Sequence, residues 1–270
     1  MSRSGYTLIE VALGLVVFAI VLASLSAVLM SQHRFYAANA QLAGTRDAAR
    51  IAVEVLTGEL RAVSPAAGDL YAIASDSVAL RSSTGIGVIC GVSGNTIALW
   101  RLMGSFADSP SDSALIFVEN DPATSLDDAW VAASVENVGS AGGSACPGGR
   151  PSSGRLVLDR EITGAVVGSL VRAFRPYVYR LYVGGDGRWW LGQRLRYGRI
   201  QPVTGPFAHP AEGGLRLQFI DHVGGETLDP ARVVEVRVSI KTQSARRVSG
   251  PNGTHFYTDS LSTSVYLRNS

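Results

Sequence analysis

Residues 5–10 read Gly5-Tyr6-Thr7-Leu8-Ile9-Glu10, and Val11 to Met30 follow as VALGLVVFAIVLASLSAVLM. These twenty residues carry no charge and are interrupted only by Gly14, Ser24 and Ser26. About 20 apolar residues suffice for a helix to cross a bilayer core. A secretory signal has a shorter apolar core, of roughly 7–15 residues, followed by a small-residue cleavage site. Ala23-Ser24-Leu25-Ser26-Ala27 offers such residues, so a cleaved signal and a plain signal anchor both stand as alternatives. Glu10 separates the readings. A carboxylate at the bilayer centre costs about 2.5–3.5 kcal/mol on insertion scales, and less near an interface. It either snorkels to the headgroups or is paired with something inside the membrane.

Working outward toward the C-terminus, Gln32 to Ala62 contain no proline and many alanines. Phe35, Ala38, Leu42, Ala49, Val53, Leu56, Leu60 and Val63 recur at three-, four- and seven-residue steps, which makes one apolar face of a helix. Arg46, Arg50, Glu54 and Arg61 lie mostly off that face. Ser64-Pro65 predicts the stop, because the residue before proline is pushed out of helical space. A continuous helix from Tyr6 to Ala62 would be about 85 Å long. Gly14, Gly44 and Gly58 are its weak points, Gly14 being the easiest place for local unwinding.

Beyond Pro65 the period changes to two. Val234, Val236, Val238 and Ile240 alternate with Glu235, Arg237, Ser239 and Lys241, which predicts a half-buried strand. Further strands are expected at 77–81, 87–92, 96–102, 114–119, 155–159, 177–183, 189–196, 215–221 and 257–267. Gly184-Gly185-Asp186-Gly187-Arg188 is a hairpin signal, and 137–154 is a long Gly- and Pro-rich loop inside one body. No long amphipathic helix recurs between these strands, which disfavours a parallel βαβ sheet. The expected fold class is α+β: one long N-terminal helix packed on an antiparallel, meandering β-sheet domain.

Composition bounds the chemistry. The chain has 270 residues, 46% of them hydrophobic, with 30 Gly, 11 Pro and a net charge of +2. That balance gives no electrostatic case for nucleic acid or an acidic substrate, and Arg246-Arg247 is read as a solvated turn. Cys90 and Cys146 are the two cysteines; outside the cytoplasm a disulfide between them is permitted, whereas zinc normally takes four ligands. His33, His209, His222 and His255 have no metal-binding spacing, and there is no GxSxG elbow or phosphate-binding loop. The acidic stretches 108–112 and 121–128 place carboxylates and hydroxyls together, as calcium loops do, without matching an EF-hand. No catalytic residue, cofactor or metal is therefore assigned.

The string Gly5 to Glu10 with its adjoining apolar run resembles the class III signal of type IV prepilins and type II secretion pseudopilins. The resemblance implies cleavage after Gly5 by a membrane-embedded prepilin peptidase, methylation of the new terminus at Tyr6, and Glu10 as the fifth mature residue. Tyr6 stands where Phe is commoner, and Arg3 is the leader's only basic residue. A neighbouring subunit's Glu10 would then pair with the amine of Tyr6 in low dielectric and set the register between subunits. The implied organisation is a leader at 1–5, a transmembrane part at 6–31, an extracytoplasmic part of the helix at 32–64 and a β-rich, pilin-like domain at 65–270. The body is similar, with low specificity, to the larger minor pilins of the PilW type and the J-type pseudopilins. The expectation is a non-enzymatic minor pilin or pseudopilin of a bacterial inner membrane, its C-terminal domain in the periplasm or on the cell surface. Its implied partners are the peptidase and other minor and major pilins or pseudopilins. A membrane-anchored or secreted extracytoplasmic enzyme or binding domain, with a chance match at its start, is the alternative.

Overall fold

The computed structural model describes residues 8–106, 113–121, 123–124, 127–139, 145–195, 198–250 and 253–267. Among the described residues the first element is helix α1, Leu8–Arg61, and the regular elements after it are strands and two single-turn 3-10 helices. The strands are β1 Leu70–Ala74, β2 Ser77–Ser93, β3 Thr96–Gly104, β4 Ser113–Val118, β5 Ala129–Gly139, β6 Ala145–Cys146 and β7 Arg150–Pro151. They continue with β8 Gly154–Leu158, β9 Leu170–Val183, β10 Trp189–Leu195, β11 Ile200–Phe207, β12 Leu215–Asp221, β13 Val233–Gly250 and β14 Gly253–Tyr266. Every pairing among the described residues is antiparallel.

The expected fold, a pilin-like α+β domain with one antiparallel sheet laid on the helix, needs correction. Strands β2, β3, β8, β5, β4 and β9 follow one another in the sheet, and β2 pairs back onto β9, so these six close into a barrel. Strands β1 and β10 to β14 extend from it as an open sheet, while β6 and β7 pair only with each other. The barrel encloses its own core of Ile89, Ile97, Leu99, Phe106, Ile116, Val135, Leu156, Leu158 and Val171 among others, with no helix residue in it. A second core lies between α1 and the open sheet: Ala52, Leu56 and Leu60 meet Tyr179, Leu191, Leu217, Val236, Val238 and Ile240.

Two long strands make this possible. The first part of β2 pairs with β1, Ile73 opposite Val78, and its second part pairs with β3, Val88 opposite Arg101. Strand β9 does the same in reverse: Ala173 faces Ala114 of β4, whereas Tyr179 faces Gln193 of β10. Along their other edges β2 and β9 pair with each other from Ser77↔Arg180 to Val88↔Leu170. Pro176, which has no N–H to give a ladder, lies where β9 has left β4 and not yet met β10. A bulge between Ser83 and Gly85 marks the corresponding bend in β2. A Cβ on Gly85 would stand 2.9 Å from Phe106 Cε2 and 3.0 Å from the Met103 carbonyl oxygen, so a side chain there would force the barrel wall to shift.

Helix α1 ends at Arg61, one residue short of the expected end at Ala62, and the chain turns under it through Ser64 and Gly68, whose φ is +72°. The hairpin between β9 and β10 forms on Asp186-Gly187: Gly187 has φ +74°, Asp186 Oδ1 accepts the Arg188 N–H at 3.1 Å, and the Trp190 indole donates to it at 3.1 Å. The stretch 137–154 is not a plain loop. Its described parts include the end of β5 and a small β6–β7 hairpin, turned at Gly148 and Gly149 with positive φ.

Candidate functional site

The candidate site is helix α1 itself, because its two halves have opposite surroundings. Its C-terminal half is held by the domain: Thr45, Ala48, Ala49, Ala52, Leu56, Thr57 and Leu60 are buried, packed mainly against β11, β13 and β14. This face follows the expected stripe from Ala38 onward, while Phe35 remains exposed. Polar bonds fix the register: the Thr242 hydroxyl on β13 donates to the Thr45 carbonyl at 2.9 Å, and Gln41 Oε1 accepts the Arg246 N–H at 3.0 Å.

From Leu8 to Ala37 every residue is exposed. Fifteen large apolar side chains between Leu8 and Met30 stand outside any core. Burying such a side chain is worth about 1.5–3 kcal/mol, so together they represent roughly 20–45 kcal/mol of unrealised burial. A whole domain is stable by only about 5–15 kcal/mol. Left in water, a helix of this kind would keep that apolar surface exposed at a large cost. Leu8–Arg61 is long and apolar enough to cross a membrane, a property that an N-terminal signal sequence shares. Residues 11–33 contain no Asp, Glu, Lys or Arg, and at 1.5 Å per residue they span about 34 Å, against a hydrocarbon core of about 30 Å. The Ser24 hydroxyl donates to the Ile20 carbonyl at 2.9 Å and so carries its own partner into an apolar setting.

Glu10 lies in the first turn of α1, exposed at the edge of the apolar run. Gly5 and Tyr6 lie outside the described residues.

Cys90 on β2 and Cys146 on β6 are joined by a disulfide with Cα atoms 5.0 Å apart, packed with Ala98. It fastens the β6–β7 hairpin to the barrel wall and touches no residue of α1. Residues 108–112 lie outside the described residues, as does part of 121–128. Within the latter, Asp121 Oδ1 accepts the Ala123 N–H at 2.9 Å, an ordinary turn. Among the described residues no group of three or more His, Cys, Asp or Glu side chains is placed to hold a metal. His209 caps a 3-10 turn by accepting the Ala211 N–H through Nδ1, and its ring lies edge-on to Trp189.

Two arrangements were invisible in the sequence. Asp69, just past the helix, is buried against Arg172 of β9 at 2.9 Å, 103 residues away. Arg246-Arg247, read as an ordinary turn, stands across a cleft from Arg34 of α1. Neither has a local signature, since each pairs segments that only the folded topology brings together. Compared with models of protein families, with curated proteins and with solved structures, the chain has no significant match.

Proposed function

We propose that this chain is a membrane-anchored structural subunit of the pilin or pseudopilin kind, which joins a type IV pilus or type II secretion pseudopilus through its N-terminal helix, in priming or at the tip. The observation that carries the reading is the division of α1: residues 38–61 are gripped by the β body, whereas 8–37 project with all sides exposed. A plain anchor needs no rigid continuation into a domain core. A subunit positioned by its neighbours' helices does, because the helix must transmit its register to the body it carries. The Gly5–Glu10 string supports the same reading, with processing after Gly5 and pairing of Glu10 with a neighbour's Tyr6 amine. The body departs from a simple sheet-on-helix subunit by its barrel, which lies off the helix and offers a surface for other minor subunits. No catalytic role is assigned to it.

Mass spectrometry of the mature chain tests processing: residues 1–5 should be missing and Tyr6 should carry one added methyl. Glu10→Val should leave the chain in the membrane fraction yet abolish most of its co-purification with partner pilins. A mature terminus near Ala27, or undiminished co-purification, would overturn the proposal.

A further inference from the structure

Arg34 is the first Lys or Arg after the apolar run, and the β13–β14 hairpin reaches toward it along the helix. From the bond between Gln41 and Arg246, the hairpin continues to Gly250, about 13 Å farther at 3.3 Å per residue. Over the same interval the helix runs from Gln41 to Arg34, about 10 Å. The end of the hairpin thus lies level with the C-terminal boundary of the apolar run. There Arg34, Ala37, Ala38 and Gln41 face Arg246, Arg247 and Val248 across an open cleft of about 260 Å³.

The charge around this cleft is segregated. The whole chain is nearly balanced, with 24 Lys and Arg against 22 Asp and Glu. Yet no acidic residue occurs between Val11 and Arg46, or between Val236 and Thr258. The first carboxylates beyond these stretches are Asp47 and Asp259, and Asp259 lies 3.7 Å from Arg46, on the domain side of the cleft. Phe35 and Tyr36 of α1 are exposed beside Arg34, and on β14 Phe256 and Tyr257 are partly exposed next to the cleft's hairpin wall. The Arg247 guanidinium lies 5.3 Å from the centre of the Phe256 ring. Arginines and aromatic rings beside an apolar span match the headgroup zone of a bilayer, where phosphates meet forked guanidinium donors and rings sit at the acyl boundary.

Resting on the reading that residues 11–33 span a membrane, we propose that the cleft between Arg34 and the β13–β14 hairpin docks on the bilayer surface, binding the phosphates of anionic phospholipids through Arg34, Arg246 and Arg247. A surface docked at this point holds the body at a fixed tilt over the membrane. Binding depends on lipid charge and weakens with salt.

The test uses the full chain in lipid nanodiscs, one set of phosphatidylcholine alone and one doped with phosphatidylglycerol, followed by hydrogen exchange. Backbone amides of 11–33 should be protected in both sets. Amides of 245–257 should exchange at least about 5-fold more slowly in the anionic discs, as expected for about one guanidinium's worth of attraction. Arg246→Gln with Arg247→Gln should remove that difference while leaving exchange in neutral discs as in the wild type, which reports an intact fold. Equal hairpin exchange in both lipids, with 11–33 protected, overturns the docking proposal alone. Unprotected 11–33 overturns the spanning reading and the proposal with it. Equal hairpin protection by glycerol phosphate in neutral micelles would show a soluble phosphate site and would likewise overturn docking on a membrane.

Discussion

Replacing Asp69 by Ala should loosen the joint between helix and body more than any surface ion pair can. Asp69 Oδ2 accepts two bonds: the Ser64 N–H below the helix end at 3.0 Å, and Arg172 Nη2 on β9 at 2.9 Å. Its backbone carbonyl accepts the Arg81 N–H of β2 at 2.7 Å, so one residue meets the helix exit and both shared strands. The Asp69 side chain is 1% exposed and that of Arg172 is 19% exposed. Truncating one partner of a buried pair costs about 3–5 kcal/mol, because the remaining charge is stranded. Arg172 retains some solvent and lies over Trp130 at 5.6 Å, which lowers the expected loss to about 2–4 kcal/mol. For a body of this size that is a fall in Tm of about 5–15 °C. The comparison is Asp259→Ala, which removes the Arg46–Asp259 pair, 3.7 Å apart with side chains 59% and 40% exposed and worth only about 0.2–1 kcal/mol. Thermal unfolding of the full chain in detergent, followed by circular dichroism in the strand region, measures both. A double-mutant cycle with Arg172→Met should give a coupling of about 2 kcal/mol. A shift for Asp69→Ala no larger than that for Asp259→Ala, or a coupling near zero, would refute the reasoning.

Two other measurements bear on the body. The Cys90–Cys146 bond closes a loop of 56 residues, so Cys90→Ser with Cys146→Ser should destabilise by up to about 4 kcal/mol on the chain-entropy account, read as a lower urea midpoint. An unchanged midpoint would mean that the reduced chain holds the β6–β7 hairpin in place without the bond. Stability should also fall in acid. The Arg237 guanidinium holds the Glu235 carboxyl below its usual range, and the Arg188 N–H and Trp190 indole do the same for Asp186. Burial pushes Asp221 upward, but the N–H groups of Gly225 and Val223 together with Arg232 outweigh it and hold that carboxyl low as well. Lowered carboxyls contribute stability that is complete above the ordinary carboxylate range, near pH 4, and lost as pH falls through their folded values. The urea midpoint should therefore be flat from neutrality to about pH 5 and drop below about pH 4; a midpoint that rises on acidification contradicts the assignment.

What was legible in the sequence is local. The apolar run, the stripe from Ala38 to Val63, the stop at Ser64-Pro65, the Asp186-Gly187 turn and the alternation in β13 each declare themselves within one continuous segment. The barrel does not. Ser82-Ser83-Thr84-Gly85 reads as a break between two short strands, yet β2 runs through it with a bulge. Pro202 and Pro206 argue against the strand that β11 becomes, and Ala129–Gly139 was not read as a strand at all. Closure itself depends on β2 pairing with β9, about a hundred residues on, which no periodicity encodes. The same holds for Arg172 beside Asp69 and for Arg34 beside Arg246. Each residue alone looks like an ordinary surface charge, and only the topology makes it a partner.

The shared strands also bear on how the helix relates to the barrel. Had the barrel been a separate domain, a linker would let it swing while the helix was held by lipid or by neighbouring subunits. Here Val78 and Leu80 of β2 and Tyr179 and Leu181 of β9 pack in the helix-side core, while Ile89 of β2 with Val171 and Ala173 of β9 fill the barrel. Two continuous, mutually paired strands cross from one core to the other. Bending between the cores would have to break the β2–β9 ladder at its middle, where Asp69 and Arg172 further tie the helix exit to β9. A weak point lies instead outside this frame, at Gly14 of α1, in the half of the helix that no core supports. A pull or a rotation applied to the exposed half of the helix is then passed through the helix-side core and the paired β2 and β9 strands to the barrel.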